Sequence, residues 1–596
     1  MSQNATSAWG APESESRPWR SGPWALWLRG DELAQVTFDR SPVLRSIRAV
    51  VRDPDWNTVP VSVSSVALTP GAVALALRHS GFGGEFQGTL TVSAADGLLR
   101  ISLEIVALQD FARNRIGLVA LHPPSLAGSS LQVVHSDGAA DQIAYPLEIS
   151  PHQPARDIAE LSWNCDGVDI RAVFVGEVFE MEDQRNWTDA SYKTYSTPLN
   201  LPFPVDVTAG ERIAQSIELR ATRSLPRAAG PPIREVRLVA TRRRLPSFGV
   251  GASTSPDPLP LARPHGDFLL VELHADQGNW RPAWERAVAE AAGRPLDVRI
   301  VASGPSEVAQ VVEMVATREE QVIRLGVFSR RSHVTEPELW DALVAAADPA
   351  GMTASLLGGT RAHFTELNRE HGRMPSALPA LTFSSTPQMH AQRTEQLVEA
   401  LPMQALTAKA AVRLAGRRPV HVGPVTLRPR LNAVATTSPY TESGDLGDGY
   451  AVHHVPDATD PRQGSEATAA WLVASASAFS VEGIASVAFF EQSGPRGLID
   501  GDGHETPAAR ALRSLAELAG RPAFEPVDPL PANVFVLAAE SDLLGVDALI
   551  ANLNPRPITL AVTTGLRSSK VAVGAFSVQR VTVSTGQRRR IVVTKP

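Results

Sequence analysis

FLLVELHA (268–275), LDVRIVAS (296–303) and VIRLGVFS (322–329) are apolar, β-branched runs, and a helical stretch follows each: Trp284 to Ala292, Val308 to Thr317 and Pro337 to Ala347. The rhythm continues through TASLLGG (353–359), ALTFSS (380–385) with a long helix near Thr394 to Leu414, PVHVGPVTL (419–427) with a helix over Ala467 to Ser480, and SVAFFE (486–491) with a helix from Thr506 to Leu518. Buried strands alternating with helices over about 250 residues predict a (β/α)8 barrel or a doubly wound parallel sheet. Seven strands are clear, and HFTELN (363–368) is the expected short eighth. No G-x-G-x-x-G or G-x-x-x-x-G-K-[ST] follows any of them, so the closed barrel is favoured over a nucleotide-binding sheet.

On either side the pattern changes. From Trp24 to Leu219, segments such as VSVSSVALT and LRISLEIVAL alternate apolar and polar residues between turn formers, which predicts an antiparallel β-sandwich. Prolines crowd residues 226–264 and suit a connection. After residue 520, runs such as NVFVLAAES, DALIANLN and RRRIVVTK predict a small second sandwich. The expected fold is thus multidomain, α/β plus all-β: a disordered N-terminus over 1–20, an N-terminal β-sandwich over 21–225, a linker over 226–264, a central TIM-type barrel over 265–520 and a C-terminal β-sandwich over 521–596.

Composition narrows the function. The 596 residues are 43% hydrophobic and 20% charged, which is ordinary globular usage. A net charge of −7 argues against nucleic acid or an anionic membrane as partner. The runs Arg242-Arg243-Arg244 and Arg588-Arg589-Arg590 read as solvated positions flanking strands. Cys165 is the single cysteine, so no intramolecular disulfide or multi-cysteine zinc cluster is available. The start of the chain lacks a basic, apolar leader and no run reaches the roughly 20 apolar residues of a membrane span, so a cytoplasmic location is expected.

In a barrel the reactive groups belong at the C-terminal ends of the strands. Glu272 and His274 end FLLVELHA and Asp276 follows it; Glu366, Asn368 and Arg369 follow TASLLGG; Gln388 and His390 follow ALTFSS; Arg428 and Arg430 follow PVHVGPVTL. Glu491 comes straight after Val487-Ala488-Phe489-Phe490, where a carboxylate is costly unless it meets a partner or a solvated cleft. Each has a plainer reading: a strand-end Glu or His is often a satisfied core group, and Thr and Asn near Glu366 are common helix caps. His274, Asp276 and His390 are zinc-type ligands, which leaves a divalent metal as an alternative. No H-x-H or H-E-x-x-H spacing supports it, so no metal or cofactor is expected. The densest polar segment lies outside the barrel: FEMEDQRNWTDASYKTYSTPL (179–199) gathers Glu182, Asp183, Arg185, Asn186, Trp187 and Asp189. A surface loop with local ion pairs would read so, but an aromatic face beside Asp, Asn and Arg is also what a polyhydroxylated ligand needs.

That segment, with LHP (121–123) and ISPHQP (149–154), resembles the N-terminal domain of the D-apionate lactonases. GGTRAHFTELNR (358–369), STPQMHA (385–391) and FFEQSGPRG (489–497) resemble the same family's barrel. The resemblance implies a sandwich, a TIM barrel and a C-terminal β-domain, and hydrolysis of D-apionolactone to D-apionate in the breakdown of D-apiose. It carries over no catalytic residues, so these come from the residues alone. The substrate would be a small carbohydrate lactone, opened by water. Glu366 or Glu491 would act as base, with Glu272 a third carboxylate, and Arg369, Arg428, His274 or His390 would polarise the carbonyl. No G-x-S-x-G elbow is present to supply a nucleophilic serine. Two rivals stand beside this. A glycoside hydrolase would use two barrel-top carboxylates as a pair, and a binding or scaffold protein would leave Glu272, Glu366 and Glu491 unconverged. Oligomeric state is not legible.

Overall fold

The computed structural model describes residues 8–11, 15–95, 97–226, 234–256, 264–435, 444–542, 545–565 and 567–584. Eight parallel strands close into a barrel: Ser247–Gly251, Leu269–His274, Leu296–Ala302, Val322–Ser329, Ser355–His363, Leu381–Ser385, Val420–Val425 and Ile484–Ser493. The second and third are buried at every position, as strands covered on both faces must be. Helices such as Trp280–Ala291, Pro305–Val315 and Pro337–Ala347 cover the outside, presenting Trp284, Val311 and Leu343 to one continuous core.

The closing strand is not the expected one. HFTELN divides between the end of the fifth strand and helix Phe364–Glu370. The true first strand is Ser247–Gly251, which pairs with Leu269–His274 on one side and Ile484–Ser493 on the other. It lies in the stretch read as a connection. Its two glycines and short length hide the apolar run, but they fit its place: a Cβ on Gly251 would lie 2.6 Å from the Phe490 carbonyl oxygen.

The N-terminal part stacks an eight-stranded antiparallel sheet on a nine-stranded one. Strand Leu98–Ala107 shows why: Leu99, Ile101, Leu103 and Ile105 alternate into the core while Arg100 and Glu104 face out. The first twenty residues are only partly described. Within them Ser16–Ser21 is an edge strand and Trp9 is buried 6.2 Å from the ring of Phe576, so these described parts are ordered by pairing and packing.

The C-terminal part is one seven-stranded sheet, nearly a barrel, whose edge strands Arg567–Val573 and Ser577–Ser584 come together. It takes in Glu235–Arg244, which carries Arg242 to Arg244 and pairs parallel with Ile558–Thr564. Residues 227–233, 257–263 and the run at 588–590 lie outside the described residues. Helix Glu466–Phe479 joins this sheet to the barrel, with Ser477 Oγ donating to the Val536 carbonyl at 2.9 Å. Among the described residues no helix is long and apolar enough to cross a membrane.

Candidate active site

The last barrel strand carries a β-bulge where it meets the first: the register steps from Val250↔Phe489 to Gly251↔Glu491. Phe490 absorbs the extra residue at φ 55°, a conformation a bulky side chain rarely adopts without outside support. The bulge re-aims Glu491. Its side chain enters a small, partly open cavity at the C-terminal end of the barrel, lined also by Glu272, Arg361, Arg430 and Tyr450.

Two separate clamps hold the two carboxylates. Glu272 accepts from Arg361 Nη2 at 3.0 Å and, bidentately, from Arg430 Nη1 and Nη2 at 3.0 Å each. Burial opposes its charge, but the two guanidiniums outweigh burial and hold the carboxyl well below the usual range. Glu491 accepts from Thr254 N at 3.1 Å, Thr254 Oγ1 at 3.0 Å and Arg496 Nε at 2.7 Å. His274 Nε2 lies 3.5 Å from Arg361 Nη2. Burial and Arg361 together push its imidazole down to about 3, and burial does the same to His333, so both rings are neutral at pH 7. Glu272 thus faces two guanidiniums, Arg361 and Arg430, and Glu491 faces one, Arg496.

Glu272 and Glu491 share this cavity; Glu366 does not line it. Glu366 is half-buried at the third position of helix Phe364–Glu370, and its Oε2 accepts the His363 backbone N–H at 2.9 Å. Burial pushes its carboxyl up to about 7.

The residues expected to bind substrate are engaged elsewhere. Segment 179–199 makes its polar contacts partly within the sandwich and partly with the barrel. Arg185 pairs with Asp183 at 2.7 Å with no exposure of either side chain, and Asn186 takes the Asn368 amide at 2.9 Å. Glu182 bridges Lys193 and Arg369; Asp189 meets His390 Nδ1 at 2.7 Å; Trp187 lies against the His390 ring and under the Arg369 guanidinium. Gln388 and Arg428 converge on Asp460 at 2.6 and 2.8 Å, in a knot completed by Arg462. A polar run with aromatics is thus also what a buried domain interface needs, because every polar group taken from water requires a partner.

The ligand atoms of His274, Asp276 and His390 are not brought together. Asp276 pairs with Arg330 and His390 with Asp189. Among the described residues, the one trio of ligand atoms within 4.8 Å is Asp500, Asp502 and His504, on a half-buried to exposed turn.

Sequence reasoning did not foresee Arg361, Arg430, Arg496 and Thr254 as the partners of the two carboxylates, nor Tyr450 in the cavity wall. The signal for the arginines was present but faint: an Arg inside or just beyond an apolar strand needs a buried acid. Nothing local marks Thr254 or Tyr450, since both come from loops.

A model of the D-apionate lactonase N-terminal domain matches residues 4–224, and one of the D-apionate lactonase TIM barrel domain matches residues 251–520. A D-apionate lactonase of Brucella anthropi is 27% identical over 620 residues, covering 96% of this chain and 98% of that protein. Among solved structures, an arabinofuranosidase from Xanthomonas axonopodis pv. citri shares 12% identity over 59% of this chain and 100% of its own, with a TM-score of 0.38. A putative aldose 1-epimerase of Escherichia coli K12 shares 10% over 35% of this chain and 99% of its own, with a TM-score of 0.26.

Proposed function

Because the chain belongs to the D-apionate lactonase family, whose members are carboxylic ester hydrolases, we propose that it opens D-apionolactone to D-apionate in the cavity between Glu272 and Glu491. The observation that carries the placement is that two independently clamped carboxylates, from the second and eighth barrel strands, face one cavity whose wall also holds the guanidiniums of Arg361 and Arg430. Ester hydrolysis by water needs a proton acceptor for the water and positive potential where the carbonyl oxygen becomes an oxyanion. Glu491 faces one guanidinium and Glu272 two, so Glu491 is assigned the base. Glu272 is the positioning group that aims Arg361 and Arg430. The base returns its proton to the ring oxygen as that oxygen leaves.

The test is acid release from D-apionolactone in a pH-stat, beside aglycone release from aryl glycosides, each with and without chelator. Acid release from the lactone alone is expected. Aglycone release instead would assign the same carboxylate pair to glycoside cleavage, and acid release abolished by chelator would bring a divalent ion into the reaction.

A further inference from the structure

Tyr450 is 3% exposed and lines the same cavity, reached from the loop between the seventh and eighth barrel strands. Its backbone is fixed, with its N–H donating to the Thr254 carbonyl at 2.9 Å, and Thr254 is the residue that clamps Glu491. The ring lies 5.9 Å from the Arg286 guanidinium. Yet the phenolic oxygen, withdrawn from solvent, has no hydrogen-bond partner among the described residues. A buried, unpaired hydroxyl is costly, and a fold keeps one where something else is meant to satisfy it. The Nε of Arg430 on the same cavity wall is likewise buried and unpartnered among the described residues.

We infer that the Tyr450 hydroxyl donates a hydrogen bond to the substrate's carbonyl oxygen and holds the oxyanion formed when water adds there. The inference rests on the lactonase reading above. In the step, the water oxygen bonds to the carbonyl carbon, its proton passes to Glu491, and the π electrons move to the carbonyl oxygen, where Tyr450 and Arg430 meet them. The C=O then re-forms, the bond to the ring oxygen breaks, and that oxygen takes the proton from Glu491. Tyr450 keeps its own proton throughout. Burial first, then the carboxylates of Glu290, Glu491 and Glu272, push its hydroxyl above the usual tyrosine range, so it remains a donor across neutral and mildly alkaline pH. Oxyanion stabilisation requires a donor not already spent within the fold, and an unpaired hydroxyl on a residue of the cavity wall can supply one; such a donor is worth most when sealed from water.

The experiment is Tyr450→Phe, which removes one oxygen and keeps the ring. On D-apionolactone kcat is expected to fall roughly 10²–10³-fold, the loss seen when one oxyanion donor is removed. KM should hold to within a few-fold, because the interaction is made in the transition state. The melting temperature should be unchanged or higher, since the lost hydroxyl bonds to nothing in the fold. An unchanged kcat would overturn the inference. So would a raised KM at constant kcat, which would put the hydroxyl on a sugar hydroxyl of the ground state, or a lowered melting temperature, which would give it a structural partner. If wild-type protein releases no acid from D-apionolactone, the lactonase reading fails and this inference with it. An active wild type beside an equally active Tyr450→Phe overturns this inference alone.

Discussion

The Oε2 of Glu366 accepts its backbone bond at the start of its own helix, whereas both oxygens of Glu491 are clamped at the cavity by Thr254 and Arg496. The two glutamates look alike in sequence, each just past an apolar strand, and they separate on one substitution. Glu366→Gln keeps an acceptor at the capping position, where Gln serves as well as Glu. It also mimics the neutral carboxyl that burial already favours, with the group pushed up to about 7. Lactone hydrolysis by Glu366→Gln should therefore stay within a few-fold of wild type. Glu491→Gln removes the base and should cost roughly 10²–10⁴ in kcat. Steady-state rates on D-apionolactone decide it: a dead Glu366→Gln beside an active Glu491→Gln would reverse the assignment. The strand-end carboxylates were legible because a charge closing an apolar run stands out. Their partners were not, because Arg361 and Arg430 reach Glu272 across 89 and 158 residues, distances that no local pattern encodes.

The first barrel strand, Ser247–Gly251, shows why the barrel strands were read correctly in number while one of them was misplaced. Seven strands announced themselves by β-branched runs. The eighth is Ser-Phe-Gly-Val-Gly, just after Pro246, with too little side chain to register as a strand, and its pairing comes wholly from neighbours on both sides. The long helix read over 394–414 is likewise two, Thr394–Glu399 and Leu401–Ala415, because Pro402 can open a helix but not sit inside one. Gly251 binds the missed strand to the chemistry. A methyl group there would press on the Phe490 carbonyl, a backbone atom that cannot swing away, within the bulge that aims Glu491. Gly251→Ala should destabilise by about 1–3 kcal/mol, as overpacking does, and should lower kcat by more than that loss alone explains. Melting temperature and kcat measured together check this; a variant with full activity would show that the bulge does not set the position of Glu491.

Across the whole molecule the sandwich and the barrel are joined through buried charge. The order of the parts was readable from the change in periodicity, two in the flanks and mixed in the middle. The partners of segment 179–199 were not, because a polar cluster that binds a ligand and one that packs on another domain have the same composition. The joint makes a testable demand on pH. Glu182 is buried between Lys193 of the sandwich and Arg369 of the barrel, and although burial opposes its charge, these cations hold its carboxyl down to about 2 from an ordinary 4.5. A carboxyl depressed in the folded state adds stability that is fully present above its unfolded value and is lost as pH falls towards the folded one. The window is therefore pH 4.5 to 2, and a shift of this size corresponds to something on the order of 3 kcal/mol. Glu182→Gln cannot titrate and should be less stable than wild type at pH 7. The gap between their melting temperatures should then narrow steadily as pH falls from 4.5 to 2. A gap that stayed constant through that window would mean that Glu182 contributes by packing and hydrogen bonding rather than by its charge, and that the two domains are held together by something other than this ion pair.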